Sequence, residues 1–277
     1  MIERLQNIRL VVSDIDGTLL TVENDLHPRT LSSIHTLVKN QQLAFTLATG
    51  RAFPLTYPFI ELLGIHSPIV FSGGAIFDPK SQTMISDHHI EGEQVSSLMR
   101  FACERNLGLI AHTPDCMLCL MDDDGWDSIA RIEWIKGRNT DHARRVSDLT
   151  SVDDGRIIRI DIFSEKHPLT AAYIQVCHTF PMLQAVQMTR SIELTPVEVT
   201  KGSALLLLAD FLGVNMAEIM AIGDSLNDMA LLKEAGVSVA MGTAPEALKA
   251  IADIIVPSSD DGGFADALDI VTLLKSN

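Results

Sequence analysis

Short apolar runs alternate with helical patterns at both ends of this chain, and this order restricts its fold more than any other feature. Near the start, the apolar runs Ile8–Ser13 and Leu43–Ala48 have strand length, and helical spacing predicts a helix between them at Pro28–Asn40. A second predicted helix, Pro54–Leu63, precedes a third short strand at Ile69–Phe71. Strands that are apolar on both faces and are separated by helices predict an α/β fold with a parallel sheet covered by helices.

The last third of the chain repeats this alternation. Its predicted strands are Met220–Ile222, Val237–Ala240 and Ile254–Val256. The predicted helices around them are Lys201–Leu212, Leu226–Glu234, Pro245–Ala252 and Gly263–Leu274, and a glycine follows each of the first two. We therefore expect both ends of the chain to build one Rossmann-like layer.

The middle of the chain has a different pattern, in which strands follow one another without helices between most of them. The predicted strands are Thr83–His89, Leu107–Ala111, Met117–Met121, Ile157–Phe163, Leu183–Met188 and Ile192–Thr195. The predicted helices lie near Glu93–Asn106, Ser128–Lys136 and Pro168–Phe180. This pattern predicts an α+β unit with an antiparallel sheet. We expect a core made of residues 1–82 and 191–277, with an inserted α+β domain at residues 83–190.

Charge and hydropathy limit the partners that this chain can have. Its 277 residues carry a formal net charge of −15, which repels nucleic-acid backbones and anionic lipid surfaces, so we expect neither as a partner. No signal peptide is visible, and the longest apolar run, Ala204–Ala209, is far shorter than the ~20 residues that span a bilayer. We therefore expect a soluble cytoplasmic protein, whose oligomeric state the sequence does not reveal.

The cysteines are too few for a disulfide scaffold. There are four, and Cys116 and Cys119 form a C-x-x-C pair that can indicate zinc or redox chemistry. A zinc site would require a second pair, and the chain has no other C-x-x-C or H-x₃-H. We interpret both residues as thiols on or beside a strand.

Two carboxylates, Asp14 and Asp16, follow the first predicted strand within Asp14-Ile15-Asp16-Gly17-Thr18. The carboxyl edge of a parallel sheet is where open α/β folds bind ligands. Two such close negative charges need a cation beside them, or one of them must hold a proton. One carboxylate could then attack while the other moves protons, although this pair alone also fits a solvated turn.

Three further strand or helix boundaries carry groups that suit a phosphate. Thr49-Gly50-Arg51 supplies a hydroxyl, a backbone N–H and a guanidinium after the second strand, although Thr49 could equally be a helix N-cap. Lys201 opens a helix, where a cation is unfavourable unless it faces an anion. Each of these motifs has a plausible structural explanation when it is taken alone.

The last of these boundaries is Gly223-Asp224-Ser225-Leu226-Asn227-Asp228, which follows a core strand. Its oxygen ligands suit Mg²⁺, although the segment also fits a turn that caps the next helix. The four motifs lie at strand-to-helix junctions, or at a helix start, of the same predicted sheet. Taken together, they indicate phosphoryl transfer.

In this order, the motifs resemble those of the haloacid dehalogenase superfamily. The segments that carry the resemblance are D-I-D-G-T-L from Asp14, A-T-G-R from Ala48, Lys201, and G-D-S-L-N-D from Gly223. The α+β insertion is similar to the class II cap of the Cof-like branch, and so is the stretch with A-M-G-T-A-P-E-A-L-K and D-G-G in Gly236–Leu268. The resemblance implies a Mg²⁺-dependent phosphatase for a small phosphorylated metabolite, with the cap selecting the substrate.

The resemblance also implies a role for each matched residue. Asp14 would be the nucleophile that takes the phosphoryl group, and Asp16 the acid and base. The phosphate would be held by Thr49, Gly50, Lys201 and Asn227, and Arg51 is a candidate substrate contact. The metal site would comprise Asp14, the backbone carbonyl of Asp16, Asp224 and Asp228, with Asp228 in a supporting position.

The chain departs from the branch pattern at two places. It has Gly73-Gly74-Ala75 where relatives usually have Asn-Gly-Ala, and Thr243 where they usually have Asn. The metal and nucleophile positions are intact, so we expect catalysis to survive while substrate contacts differ. A phosphomutase-like phosphotransferase and a non-catalytic metabolite-binding protein remain alternatives. A sugar bisphosphate would activate the former, and the latter would not turn over a chromogenic phosphate ester.

Overall fold

A computed structural model describes residues 1–39, 43–86, 88–114, 116–121, 143–149, 156–164, 167–188 and 190–275. By its contacts the chain divides into two compact units. The first contains Met1–Gly50, Tyr57–Ser86 and Thr200–Asn277, and the second contains Arg51–Thr56 and Asp87–Val199. Within the described residues, no helix combines the length and the apolar composition needed to cross a membrane.

The first unit is built on a five-stranded sheet in which every pairing is parallel. In spatial order its strands are β14 (Ile254–Val256), β13 (Val237–Met241), β12 (Ile219–Gly223), β1 (Leu10–Ser13) and β2 (Ala44–Leu47). Every residue of β1, β12 and β13 is buried, because helices cover both faces of a parallel sheet. The parallel sheet predicted from both ends of the chain is confirmed.

The helices of the first unit cover this sheet. They are α1 (Ile2–Gln6), α2 (Pro28–Lys39), α6 (Lys201–Leu212), α7 (Met229–Glu234), α8 (Glu246–Lys249) and α9 (Gly263–Lys275), and α3 (Phe53–Leu63) begins in the second unit and continues in the first. One face packs Leu10 and Val12 of β1 against Leu205 of α6. On β2, Phe45 meets Phe264 of α9 edge to face, with ring centroids 6.3 Å apart.

The strand predicted at Ile69–Phe71 forms, but it does not extend the parallel sheet along its length. This strand, β3, pairs antiparallel with β4 (Ala75–Asp78), and β4 pairs with β5 (Thr83–Ser86). Only the single bridge between Ala48 and Val70 joins β3 to the end of β2 in parallel. The reason is the tight turn after Phe71, where Ser72 and Gly73 both have positive φ angles and reverse the chain before a helix can form.

The second unit has a six-stranded sheet. In spatial order its strands are β10 (Leu183–Gln187), β11 (Ser191–Pro196), β9 (Arg159–Phe163), β6 (Gly108–His112), β7 (Met117–Leu120) and β8 (Ala143–Arg145). The pairings are antiparallel except for β7 with β8. The helices α4 (Gly92–Cys103) and α5 (Thr170–Thr179) pack on one face, over an apolar core that includes Leu98, Leu109, Ile160 and Val176. The predicted α+β unit is confirmed.

The unit boundaries differ from those predicted, because strand pairing decides them. β5 pairs with β4 and so belongs to the first unit, although the prediction began the insertion at Thr83. β11 pairs with β9 and β10 and so belongs to the second unit, although the prediction returned to the core at residue 191. Helix α1 and strands β4 and β8 were not predicted, and the helix predicted at Ser128–Lys136 lies outside the described residues.

Candidate active site

Three neighbouring strands of the first unit end at the same edge of the sheet. Ser13, the last residue of β1, lies opposite Leu47 of β2 and Ile222 of β12. The next residues along the chain are Asp14 after β1, Thr49 two positions after β2, and Asp224 directly after β12. The register therefore brings three of the four sequence motifs to one carboxyl edge, where parallel sheets bind ligands.

Lys201, the first residue of α6, joins two of these motifs through its ammonium group. Its Nζ atom lies 2.8 Å from Oδ1 of Asp14 and 2.6 Å from Oδ1 of Asp228. It also donates a longer hydrogen bond of 3.5 Å to Oδ1 of Asn227. Lys201 is only 3% exposed and Asp228 is fully buried, so water screens these ion pairs little. The sequence predicted that a lysine at this helix start faces an anion. In the structure, the anions that it faces include two carboxylates of the chain itself.

Asp224 is oriented by the segment that follows Asp14. The hydroxyl of Thr18 donates a hydrogen bond of 2.8 Å to Oδ1 of Asp224. Gly17 has a φ of +76°, and a Cβ atom at this position would lie 2.4 Å from Oδ2 of Asp224. Only glycine meets both conditions, because other residues avoid this backbone region and would displace the carboxylate. Sequence reasoning gave neither Gly17 nor Thr18 a role, although both lie in the quoted motif.

Asp228 holds the loop that carries Asp224. Its Oδ2 atom accepts hydrogen bonds of 3.1 Å from the backbone N–H groups of Asp224 and Ser225. Its Oδ1 atom accepts the hydrogen bond from Lys201. Both oxygens of Asp228 are therefore engaged by the chain, so that its carboxylate positions the other groups of the cluster.

Burial and mutual repulsion shift the ionisation of these carboxyl groups. Burial raises the pKa of Asp14 to about 8, although the charge of Lys201 opposes the shift. Burial also raises the pKa of Asp224 to about 6, against the hydrogen bond from Thr18, and Asp228 adds to the rise. Burial by itself lowers the pKa of Lys201, but the charges of Asp14 and Asp228 outweigh it and hold that pKa above its usual value.

The cluster of Asp14, Asp224 and Asp228 has the composition of a divalent cation site. One carboxylate oxygen from each residue lies within 4.8 Å of the others, and this is the one such group among the described residues. With all groups ionised, three carboxylates face the single ammonium of Lys201, which leaves an excess of two negative charges. Hard oxygen donors with this excess charge fit Mg²⁺. A cation of charge +2 would also restore the ionised form of Asp14 that burial disfavours.

The remaining predicted residues closely follow strands β1 and β2 in the sequence. Thr49 is fully buried, its N–H donates to the carbonyl of Val70, and its own carbonyl accepts from Gly73. Gly73, one of the positions at which the chain departs from the branch pattern, thus contacts the backbone of the Thr49-Gly50-Arg51 motif. Asp16 is exposed on the turn after β1. Gly50 is half-buried and ends the first segment of the first unit, and Arg51 begins a segment of the second unit.

Two further glycines near the site allow elements to approach closely. A Cβ atom on Gly202 would lie 2.7 Å from the carbonyl oxygen of Ala230, and one on Gly223 would lie 2.6 Å from Cβ of Asp228. Both glycines follow or precede a charged site residue in the sequence, and this adjacency is the only signal that could have found them. Gly202 lets α6 pack closely against Ala230 of α7 without displacing Lys201. Gly223 lets the Asp224 loop pack closely against Asp228.

The C-x-x-C pair lies on and beside β7 of the second unit, as interpreted from the sequence. Cys116 packs in the apolar core beneath the helices, whereas Cys119 packs with Met117 on the opposite face. Burial raises the pKa of the Cys119 thiol to about 12, and this keeps it protonated at neutral pH. Two thiols on opposite faces of a strand do not form a shared metal site.

Comparisons with known proteins agree with the geometry. A family model described as haloacid dehalogenase-like hydrolase matches residues 11–268. The HMP-PP phosphatase of Serratia proteamaculans is 26% identical over 260 residues, which cover 88% of this chain and 87% of that protein. A 5-amino-6-(5-phospho-D-ribitylamino)uracil phosphatase of Bacillus subtilis is 26% identical over 283 residues, covering 95% and 97% of the two chains.

Solved structures share the fold. A haloacid dehalogenase-like hydrolase from Bacteroides thetaiotaomicron superimposes with a TM-score of 0.84 at 24% sequence identity, and the match covers 95% of this chain and 98% of that one. At this level of identity, the likeness establishes the architecture of both units and leaves the chemistry to the residues of the site.

Proposed function

Because this chain belongs to the haloacid dehalogenase-like hydrolases and is a phosphatase of their Cof-like branch, we propose that it hydrolyses a small phosphorylated metabolite through an aspartyl-phosphate on Asp14, with Mg²⁺ as its cofactor. The observation that carries this proposal is the bridge of Lys201 between Asp14 and Asp228, beside Asp224. This arrangement orients one buried carboxylate and leaves an excess of negative charge that a divalent cation would balance.

The metal would be held by Asp14, the backbone carbonyl of Asp16 and Asp224, with Asp228 supporting them. When bound, Mg²⁺ supplies positive charge that holds the phosphate against an acidic site and favours the ionised form of Asp14. The phosphate itself is assigned to Thr49, Gly50, Lys201 and Asn227. Together these groups offset the repulsion that an acidic protein exerts on an anionic substrate.

In the first step, Asp14 attacks the phosphorus atom. Lys201 occupies Oδ1 of Asp14, so Oδ2 is the oxygen proposed to form the new P–O bond. The bond from phosphorus to the leaving oxygen breaks, and Asp16 gives its proton to that oxygen. Asp16 is exposed on the turn that follows β1, which suits a group that must meet both substrate and water.

In the second step, Asp16 takes a proton from a water molecule, whose oxygen attacks the phosphorus of the aspartyl-phosphate. This releases inorganic phosphate and restores Asp14. Transfer to water rather than to a second sugar hydroxyl distinguishes this reaction from that of a phosphomutase. The insertion predicted at residues 83–190 is proposed to select the leaving group, because the motifs of the first unit recognise only phosphate and metal.

The test is turnover of p-nitrophenyl phosphate with and without a chelator. We expect release of inorganic phosphate that needs added Mg²⁺, needs no sugar bisphosphate, and stops in excess chelator. Full turnover in excess chelator would refute the proposed role of Mg²⁺ as cofactor. No turnover of any phosphate ester would favour a metabolite-binding protein instead.

A further inference from the structure

The turn between β3 and β4 lies beside Thr49, within the first unit. The parallel bridge between Ala48 and Val70 joins the ends of β2 and β3. The N–H of Thr49 donates a hydrogen bond of 3.0 Å to the carbonyl of Val70, and the N–H of Gly73 donates one of 3.2 Å to the carbonyl of Thr49. Ser72 lies between these two contacts in the sequence, so its backbone is next to that of Thr49.

The backbone of Ser72 is strained. Its φ of 46° lies in the left-handed region, which residues with a Cβ atom avoid and glycine does not. The N–H of Gly74 donates to the carbonyl of Phe71 and closes a turn in which Ser72 and Gly73 both have positive φ angles. Glycine, asparagine and aspartate are the residues that usually occupy such two-residue turns. The turn itself therefore gives no reason for a serine at position 72.

The side chain of Ser72 is buried without a hydrogen bond. Only 2% of the residue is exposed, and its Oγ atom has no hydrogen-bond partner among the described residues. A buried, unpaired hydroxyl is unfavourable, so an alanine would be better accommodated there. Strained residues that persist in native proteins cluster at active sites and ligand clamps, and unpaired buried groups require a similar explanation. Both features of Ser72 therefore indicate a functional role.

The proposed phosphate site needs additional donors. An ammonium has three N–H donors, and that of Lys201 already has partners in Asp14, Asp228 and, at 3.5 Å, Asn227. The backbone N–H of Thr49 is also engaged, because it donates to the neighbouring strand. A phosphoryl group brings three strong acceptor oxygens. It therefore requires donors that the chain has not already used, and the Ser72 hydroxyl is one of them.

Burial and distance are both compatible with this role. Asp14 and Lys201 are 4% and 3% exposed, so Ser72 is covered to the same degree as the groups that the proposed reaction uses. Neighbouring strands of a sheet lie about 5 Å apart. The backbone of Ser72 is thus about one strand spacing from that of Thr49, to which we assign the phosphate.

We propose that the Oγ atom of Ser72 donates a hydrogen bond to an oxygen of the phosphoryl group, so that Ser72 is a further phosphate-binding residue. This inference rests on the proposed function and adds a residue to its site. Bound phosphate supplies the acceptor that the hydroxyl lacks in the free protein. The strain at Ser72 is then explained, because glycine would relieve it but would bring no hydroxyl.

Two substitutions of Ser72 test this assignment. Ser72→Ala removes the hydroxyl and keeps the Cβ atom, and Ser72→Gly removes the strain as well. We expect each to lower kcat/KM about tenfold or more for p-nitrophenyl phosphate and for glycerol 3-phosphate, because a hydrogen bond to a charged group is lost. The loss should be similar for the two esters, since they share the phosphoryl group. Ser72→Gly should also have a higher Tm than wild type, because relief of strain outweighs the added flexibility of the unfolded chain.

The matched control is Gln82→Gly. Gln82 is exposed on the turn between β4 and β5 and has a φ of 59°, so glycine relieves a similar strain there without removing a buried hydroxyl. We expect this variant to keep kcat/KM within about twofold of wild type, as a surface substitution should. Unchanged kcat/KM in Ser72→Ala, an equal loss in Gln82→Gly, or a loss confined to one of the two esters would overturn the proposal.

Phosphate binding can also be measured without turnover. In calorimetric titrations with inorganic phosphate in the presence of Mg²⁺, the Kd should be about tenfold higher for Ser72→Ala than for wild type. A wild-type protein that hydrolyses no ester would refute the proposed function, and the phosphate titration would still decide the role of Ser72. Equal Kd values for the two proteins, or no phosphate binding by the wild type, would overturn that role.

Discussion

The hydroxyl of Thr18 donates a hydrogen bond of 2.8 Å to Oδ1 of Asp224, which lies 206 residues later in the chain. This bond fixes the carboxylate that we propose as a metal ligand, and it lowers the pKa of Asp224 against the effect of burial. Groups that orient metal ligands commonly contribute ~10- to 100-fold to metal affinity.

Thr18→Val should therefore raise the Mg²⁺ concentration needed for half-maximal activity by roughly 10-fold or more. The pKa of Asp224 should rise further above about 6, so that more of it is protonated at neutral pH and the defect is larger at pH 6 than at pH 8. Thr18→Ser keeps the hydroxyl and should stay near wild type. A Mg²⁺ titration of p-nitrophenyl phosphate turnover measures both effects, and equal Mg²⁺ requirements in the two variants would contradict the role of Thr18.

Asp224 and Asp228 should respond differently to the same isosteric change. Asp228→Asn breaks a buried ion pair with Lys201, so the free energy of unfolding should fall by about 3–5 kcal/mol. Asp224→Asn removes one of the excess negative charges and should leave the metal-free protein at least as stable, while the response to Mg²⁺ is lost. Urea unfolding with and without Mg²⁺ separates the two. The distinction is wrong if Asp228→Asn unfolds like wild type, or if Mg²⁺ still stabilises Asp224→Asn.

The stability of the metal-free protein should depend on pH through Asp14 and Asp224. Their pKa values are raised in the folded state to about 8 and about 6, so the folded protein binds these protons more tightly than the unfolded chain does. The stability that they contribute is complete below about pH 4 and is lost as the pH rises through 6 and 8. Asp161, whose pKa is lowered, acts in the opposite sense only in more acidic solution.

Mg²⁺ should reverse this trend, because its binding to the ionised carboxylates releases their protons. We expect the increase in Tm caused by Mg²⁺ to grow from pH 5 to pH 8. Calorimetric titration in buffers of different ionisation enthalpy should detect proton release near pH 7. Asp14→Asn should remove most of the pH dependence above pH 6, and an unchanged profile in that variant would assign the effect to other groups.

Asp14 and Asp16 should be chemically unequal despite being two residues apart. Asp14→Asn should give no phosphoenzyme and essentially no turnover with any ester, because the amide cannot attack phosphorus. Rapid-quench trapping of the phosphorylated protein tests this expectation. Phosphate on a residue other than Asp14, or a stable phosphoenzyme in Asp14→Asn, would overturn the assignment of the nucleophile.

Asp16→Asn should slow both steps by roughly 10²- to 10⁴-fold, the usual contribution of general acid–base catalysis. The loss in the first step should be smallest for p-nitrophenyl phosphate, whose leaving group needs little protonation, and larger for alkyl phosphates. The measurement is the single-turnover rate for each ester. A uniform loss across good and poor leaving groups would deny Asp16 the role of acid.

Much of the fold could be predicted from local patterns. Apolar runs of strand length predicted the strands β1, β2 and β12, and glycine closed α6 at Gly213, whose φ of 62° is the left-handed conformation that ends many helices. These features depend on a few consecutive residues, so the sequence carries them directly. The reversal after Phe71 was missed, because a short apolar run does not show with which strand it will pair.

The sequence by itself determined which residues lie at the ends of strands and helices, and hence the candidates Asp14, Thr49, Lys201 and Asp224. Only the tertiary structure decided which atoms meet. Lys201 reaches Asp14 across 187 positions of the chain, and His112 reaches Asp161 across 49. Such contacts depend on sheet register and on close helix packing, which local patterns do not encode, and they set the burial that shifts each pKa. The contacts of Asp161 with His112 and Arg159 became visible only when the strands were paired.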